Sequence, residues 1–200
     1  LNHNQQQQPS VDIGVWTSAL PKNAVPMVML AFGALLNPTV YTDKTGDGVA
    51  ESFANFAGRP DFPSPTGTGR LAFIWSQAKC DIKGYGKGNR GKGDVKPDFL
   101  KNLQKVWDAF PQQYGPENTI IIDDSPGKIL AKHEPNHLLI PEFDVERNPR
   151  LFKEDSVLQR LEQYLAGLVE AQPSDVREYM SSHPFVLVEK KIPQKAIIQD

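Results

Sequence analysis

A single cysteine, Cys80, is all the thiol that 200 residues contain. One sulfur can form neither an internal disulfide nor a thiolate metal cage, which fits a reducing compartment. An excess of one charge is missing too: 22 Lys and Arg stand against 24 Asp and Glu, a formal net charge of −2. So balanced a chain has no overall field to attract polyanions, and no direct contact with nucleic acid is expected. No apolar run approaches the ~20 residues needed to cross a bilayer, and no signal-peptide pattern is visible. The opening residues have nothing to bury: Asn2 to Gln8 are polar, with four consecutive glutamines before Pro9-Ser10. Residues 1–10 therefore read as a low-complexity tail or a cut loop. The chain opens on Leu1, not on methionine, and reads as a processed product or a fragment. What is present, 39% apolar and 23% charged residues, suits one globular domain that buries roughly 70% of its unfolded surface.

The order of elements predicts an α/β fold. Val11 to Thr17, rich in Val, Ile and Trp, reads as a strand covered on both faces. Ser18 to Leu36 places Val25, Met29, Phe32 and Leu36 at helical spacing, with Pro26 tolerable only in a first turn. A second helix is read over Phe99 to Phe110, with Leu100, Leu103, Val106, Trp107 and Phe110 as its stripe. Asn118 to Asp124 gives the strongest strand signal, followed by a short helix around Pro126 to Lys132 and a parallel strand from His137 to Ile140. Glu154 to Ala171 reads as a helix with Val157, Leu158, Leu161, Leu165, Leu168 and Val169 on one face. Another starts near Ser174 or Asp175, the latter followed by Glu178 as in a capping box. Between Asn37 and Lys96 regularity fades, and 37–96 reads as an insertion that contains one strand, Arg70 to Ser76. The domain plan is thus a tail at 1–10, an α/β domain at 11–172 and a C-terminal helix and tail at 173–200. Nothing in the sequence sets an oligomeric state.

Three features stand where a parallel sheet places its site, at the carboxyl ends of strands. Thr17-Ser18 follows the first strand, and a hydroxyl there can hold a phosphoryl oxygen or cap the next helix. Asp123-Asp124 ends the isoleucine strand. Adjacent carboxylates repel, and a cation relieves them; Mg²⁺ suits, since it takes one or two protein carboxylates and leaves positions for water and phosphate. Alternatively Asp124 caps the helix that begins at Pro126 while Asp123 pairs with a lysine. Lys101 can supply a point charge to a phosphoryl group or hold an acid in place, in competition with Lys96 and Lys105.

Val15-Trp16-Thr17-Ser18-Ala19, Leu100-Lys101-Asn102-Leu103 and Ile120-Ile121-Ile122-Asp123-Asp124-Ser125-Pro126, in this order, resemble the later motifs of the NLI-interacting-factor domain. That is the homology domain of RNA polymerase II C-terminal-domain phosphatases, within the haloacid dehalogenase superfamily. Phe73 to Cys80 also resembles a segment of that family, and the resemblance spans roughly Asp12 to Leu168. It implies a Rossmann-like parallel sheet flanked by helices, with an insertion between the second and third motifs. It also implies Mg²⁺-dependent hydrolysis of phosphoserine or phosphothreonine in proteins through a phospho-aspartyl enzyme. Thr17 matches the hydroxyl that binds the phosphoryl group, with Ser18 beside it. Lys101 matches the lysine that stabilises the aspartyl-phosphate, and Asp123 and Asp124 match the metal-binding acids.

The family's first motif, Asp-x-Asp-x-Thr or Val, supplies the nucleophile, and no such phrase occurs in these 200 residues; Glu142-Phe143-Asp144-Val145-Glu146 is the nearest approach. The expectation is an incomplete phosphatase domain that does not turn over phosphate by itself. In this superfamily the missing strand lies between those ending at Thr17 and Asp124, so these two either pair directly or leave backbone groups unpaired. The alternative is a non-catalytic peptide-binding domain, similar to the phosphatase-like subunit of the mitochondrial presequence translocase. The partner is thus a phosphoprotein or peptide. The compartment is the nucleus or cytoplasm on the first reading and the mitochondrion on the second.

Other phrases are weaker. Asp43-Lys44-Thr45-Gly46-Asp47-Gly48 starts like an EF-hand loop, but Ala54 at the twelfth position cannot be a bidentate ligand. Gly84 to Gly93 is a basic, glycine-rich segment that reads as a solvated loop. His133 and His137 lack a cysteine partner and are separated by Pro135, which argues against zinc. Cys80 reads as a small buried residue.

Overall fold

In a computed structural model, the structure describes residues 11–32, 71–87, 95–144, 146 and 156–186. The 1–10 tail, Asp43 to Gly48, most of the 37–96 segment, Leu36 and the last residues of the chain lie outside these. The architecture is α/β. In chain order the elements are β1 (Ile13–Trp16), α1 (Pro21–Phe32), β2 (Leu71–Trp75), β3 (Asp81–Lys87), β4 (Val95–Leu100), α2 (Gln104–Ala109), β5 (Ile121–Asp123), β6 (His137–Leu139), α3 (Val157–Ala171) and α4 (Val176–Ser182).

Among the described residues the strands form three pairs, not one continuous sheet. β1 runs parallel to β2, with Val15 opposite Ile74 and Trp16 opposite Trp75. β3 and β4 make an antiparallel ribbon. β5 runs parallel to β6, Asp123 opposite Leu139, and the Ile140 N–H continues that ladder to the Asp123 carbonyl at 3.1 Å. The strands ending at Thr17 and Asp123 do not pair with each other. β1 is not covered on both faces as its composition suggests: Ile13 is 50% exposed. The strand read at Arg70 to Ser76, assigned to an insertion, is β2, the parallel partner of β1.

Local chemistry accounts for other departures. Phe99 and Leu100 belong to β4, so the helix read over Phe99 to Phe110 shrinks to the six residues of α2. Pairing with β3 overrides the helical spacing, and Pro97 is tolerated because the ribbon has only edge strands. Pro26 lies inside α1, whose first residue is Pro21, and removes an interior N–H bond. Ala24, Val25, Val28 and Met29 are all nearly inaccessible, and their burial with Leu71 and Ile74 offsets that loss. The helix read around Pro126 to Lys132 is two 3₁₀ turns, Pro126–Lys128 and Ala131–Asn136, with Ile129 and Leu130 extended between them. α3 ends on Gln172 in the left-handed region (φ 45°), its N–H bonded to the Leu168 carbonyl, and Pro173 follows. None of its residues is fully buried, and Leu158 is exposed. Asp175 caps α4 as expected, accepting the Arg177 N–H at 2.8 Å.

A second core joins the strand pairs. Trp75, Leu103 and Val106 are buried together, with Trp16, Phe73, Trp107, Phe110, Tyr114 and Ile121 packed around them. Trp16 and Trp75 meet edge to face at 5.0 Å. The Tyr114 hydroxyl donates to Asp12 at 3.0 Å, tying the start of β1 to the segment before β5. Burial and that carboxylate push the Tyr114 phenol up to about 12. The ring of Phe73 fills the space that a Cβ on residue 14 would take, so any residue larger than Gly14 needs that ring to shift.

Candidate active site

Lys101 follows β4 directly and lies on extended backbone, not on the helix where its sequence neighbours placed it. Its N–H donates to the Lys128 carbonyl at 2.7 Å, and its carbonyl accepts from Leu130 at 3.2 Å, a parallel bridge opposite Ile129. The backbone is thus held between β4 and the segment after β5, and the side chain reaches the end of β5. There the Lys101 ammonium donates to Asp123 Oδ2 and forms an ion pair with it, both residues being 8% exposed. Asp123 Oδ1 accepts the Ser125 N–H at 2.8 Å. Burial pushes the Asp123 carboxyl up, but the hydrogen bond and charge of Lys101, the Ser125 N–H and the charge of Lys128 outweigh it and hold the acid below its ordinary range.

Asp124 is exposed, and its Oδ1 accepts the Ser125 hydroxyl at 2.9 Å. An open cavity of about 340 Å³ runs from Asp124 past Pro126, Leu139, Ile140 and Glu142 to Phe185. Thr17 closes the turn after β1: its N–H donates to the Trp75 carbonyl at 2.9 Å and its Oγ1 accepts from Ala19 at 3.1 Å. Ser18 lies in that turn. The structure therefore brings Lys101 and Asp123 into contact and sets Asp124 beside them. The hydrogen bonds of Thr17 stay within its own turn and the end of β2. Cys80, reached from that end of β2, feels both regions. Burial pushes its thiol up, against the nearby charges of Lys101 and Lys105, and the residue is buried as expected.

Among the described residues no group of three His, Cys, Asp or Glu gathers to hold a metal. His137 points its Nε2 to the Asp123 carbonyl at 3.3 Å, while His133 points to Asn102. The acids that the sequence assigns to a cation are Asp123 and Asp124. Each carboxylate offers about four lone-pair positions, of which the bonds above take two on Asp123 and one on Asp124. Asp124, exposed and lining the open cavity, has spare capacity for a hard cation such as Mg²⁺, which leaves most of its shell to water and phosphate, whereas Asp123 is buried against Lys101 and does not line that cavity.

The sequence reading missed the polar residues behind Lys101. Asn102 donates to Asp81 at 3.1 Å, Asp81 pairs with Lys105 at 2.6 Å, and Lys105 also donates to the Lys79 carbonyl at 2.9 Å. The hydrogen bond and charge of Lys105, aided by Asn102, hold the Asp81 carboxyl below its ordinary range. The available signals are Asn102 beside the predicted lysine and Lys105, read only as its competitor, since Asp81 and Lys79 lie 20 or more residues away.

Neither a curated protein nor a solved structure matches this chain. The family model of the NLI interacting factor-like phosphatases matches residues 74–177, slightly more than half of the chain, and that span includes Lys101, Asp123 and Asp124 but begins after Thr17 and Ser18. With the Asp-Asp-Ser-Pro phrase at the carboxyl end of a parallel strand and its first acid paired to the lysine after β4, the chain belongs to the family of NLI interacting factor-like phosphatases.

Proposed function

We propose that this domain is the phosphate- and metal-handling part of a Mg²⁺-dependent phosphatase acting on phosphoserine or phosphothreonine in a protein or peptide. The observation that carries the reading is the buried Lys101–Asp123 ion pair at the carboxyl end of β5, with Asp124 exposed beside it. A buried ammonium that already meets a carboxylate is a fixed cation needing little rearrangement to face a second anion. In this reading Lys101 balances charge on the phosphoryl group, and Thr17, with Ser18, holds a phosphoryl oxygen at the turn after β1. Asp123 and Asp124 hold the metal, which when bound offsets repulsion between phosphate and an incoming nucleophile. The 200 residues contain no Asp-x-Asp-x-Thr or Val phrase. Without a nucleophilic aspartate the covalent route is closed, so these residues alone bind phosphate without turning it over.

Amide NMR during titration with Mg²⁺ and inorganic phosphate tests the site. Shifts at Asp123 to Ser125 are expected in the unaltered chain and are lost in Asp123→Asn, and phosphate-induced shifts at Thr17 are lost in Thr17→Ala. An unaltered chain whose spectrum ignores both ions overturns the reading. Hydrolysis of p-nitrophenyl phosphate is expected at the buffer rate; Mg²⁺-dependent turnover abolished by Asp123→Asn overturns the inactivity. The lack of a nucleophile motif in these residues also favours a second reading, a peptide-binding domain without turnover. Binding of a peptide that is indifferent to Mg²⁺, to its own phosphorylation and to Asp123→Asn selects that reading.

A further inference from the structure

Asn102, next to Lys101, is the centre of a side-chain chain to which the reaction above gives no part. The Gln104 N–H lies 3.2 Å from one of its amide atoms and can only donate, so that atom is Oδ1. Nδ2 then donates to Asp81. The same Oδ1 lies 2.8 Å from Nε2 of His133. With no hydrogen on Oδ1, the proton of this bond belongs to His133 Nε2. His133 is 3% exposed and stands edge-on to Trp107 at 5.0 Å. Burial, with the charge of Lys132, pushes its pKa down and favours the neutral ring. The backbone closes the same loop: the His133 N–H donates to the Leu130 carbonyl at 2.8 Å, and the Leu130 N–H donates to Lys101. His133 therefore grips the Lys101-Asn102 step twice, through the Asn102 side chain and through Leu130.

We propose that His133 is a positioning residue: by donating Nε2–H to Asn102 it fixes the backbone from which the Lys101 ammonium is aimed at Asp123. The functional meaning rests on the reading of Lys101 as the phosphate-facing cation, but the geometry does not need it.

The test is ¹⁵N NMR of the full chain without Mg²⁺ or phosphate. The His133 ring is expected with Nε2 protonated and Nδ1 bare; a ring carrying its proton on Nδ1 alone overturns the proposal without any substitution. The Lys101 ammonium, identified by its loss in Lys101→Arg, is expected as a slowly exchanging signal. Its exchange with solvent accelerates about tenfold, the worth of one hydrogen bond, in His133→Leu and stays near the unaltered rate in His133→Gln, which keeps a donor. Unchanged exchange in a folded His133→Leu, or a Gln variant as fast as the Leu variant, overturns it. If His133→Leu fails to fold, Asn102→Ala carries the same expectation from a half-buried position. A chain that ignores Mg²⁺ and phosphate yet shows these signatures loses the phosphatase reading and keeps this one; the opposite pair of results does the reverse.

Discussion

Lys101 and Asp123 are both almost fully buried, so each has exchanged water for the other. Such a pair contributes little beyond a well-packed apolar pair, but breaking one half strands a charge. Lys101→Met is expected to lower unfolding free energy by about 3–5 kcal/mol, whereas the double replacement Lys101→Met with Asp123→Leu recovers most of that loss. Urea denaturation of the three chains checks this, and a double variant as unstable as the single one contradicts it. The lysine itself was legible from its place in Leu100-Lys101-Asn102-Leu103 and the acids from the end of an isoleucine strand. That Asp123 pairs with a lysine is one of two readings the sequence leaves open, and the choice of Lys101 is not fixed, because 22 residues separate the two and no local rule spans that distance.

At the scale of elements, the same stretch shows why boundaries misled. Leu103, Val106, Trp107 and Phe110 do pack on one face, as their spacing requires, yet the helix begins only at Gln104. Periodicity reports which residues are buried, and the partner β3 decides where the helix may begin. Strand β5 is likewise shorter than Asn118 to Asp124, because the segment before it is bound to a side chain: Asn136 Nδ2 donates to the carbonyls of Pro116 and Thr119 at 2.6 and 2.7 Å. Asn136 is 2% exposed. Asn136→Ala leaves both carbonyls without that donor and is expected to cost about 2–3 kcal/mol, read as a lower urea midpoint with an unchanged slope. An unchanged midpoint means that the two bonds do not hold β5 in place. By contrast, the cap at Asp175 was readable from sequence because every atom involved lies within three residues.

For the whole molecule, two of the buried titratable groups, Asp123 and His133, act in the same direction with pH. Asp123 is depressed below its ordinary 3.8 and His133 below its ordinary 6.5, so the unfolded chain binds more protons than the folded one at each. Their contributions are complete above the unfolded values and are lost as pH falls through them toward the folded values. Stability is expected to hold near neutrality, decline below pH 6.5 as His133 resists its proton, and decline again below pH 3.8 as Asp123 does. His133→Gln removes the first decline and Asp123→Asn reduces the second, which the depressed Asp81 shares; urea midpoints across pH 3–8 read both, and a midpoint that rises on acidification contradicts the assignment. The α/β class was legible from the alternation of elements, but the separation of the sheet into pairs concerns which edges meet, and hydrogen-bond partners leave no trace in composition.

The chain's three tryptophans carry a further consequence. Trp16 and Trp75 stand near-perpendicular at the root of the Thr17 turn, and Trp107 faces His133. Excited states of two indoles so close mix and give a signed couplet in circular dichroism, while an imidazolium ring quenches indole emission. The molecule thus contains its own optical gauges, one for the order of the hydroxyl turn and one for the proton on the histidine behind the lysine, with no dye or label attached.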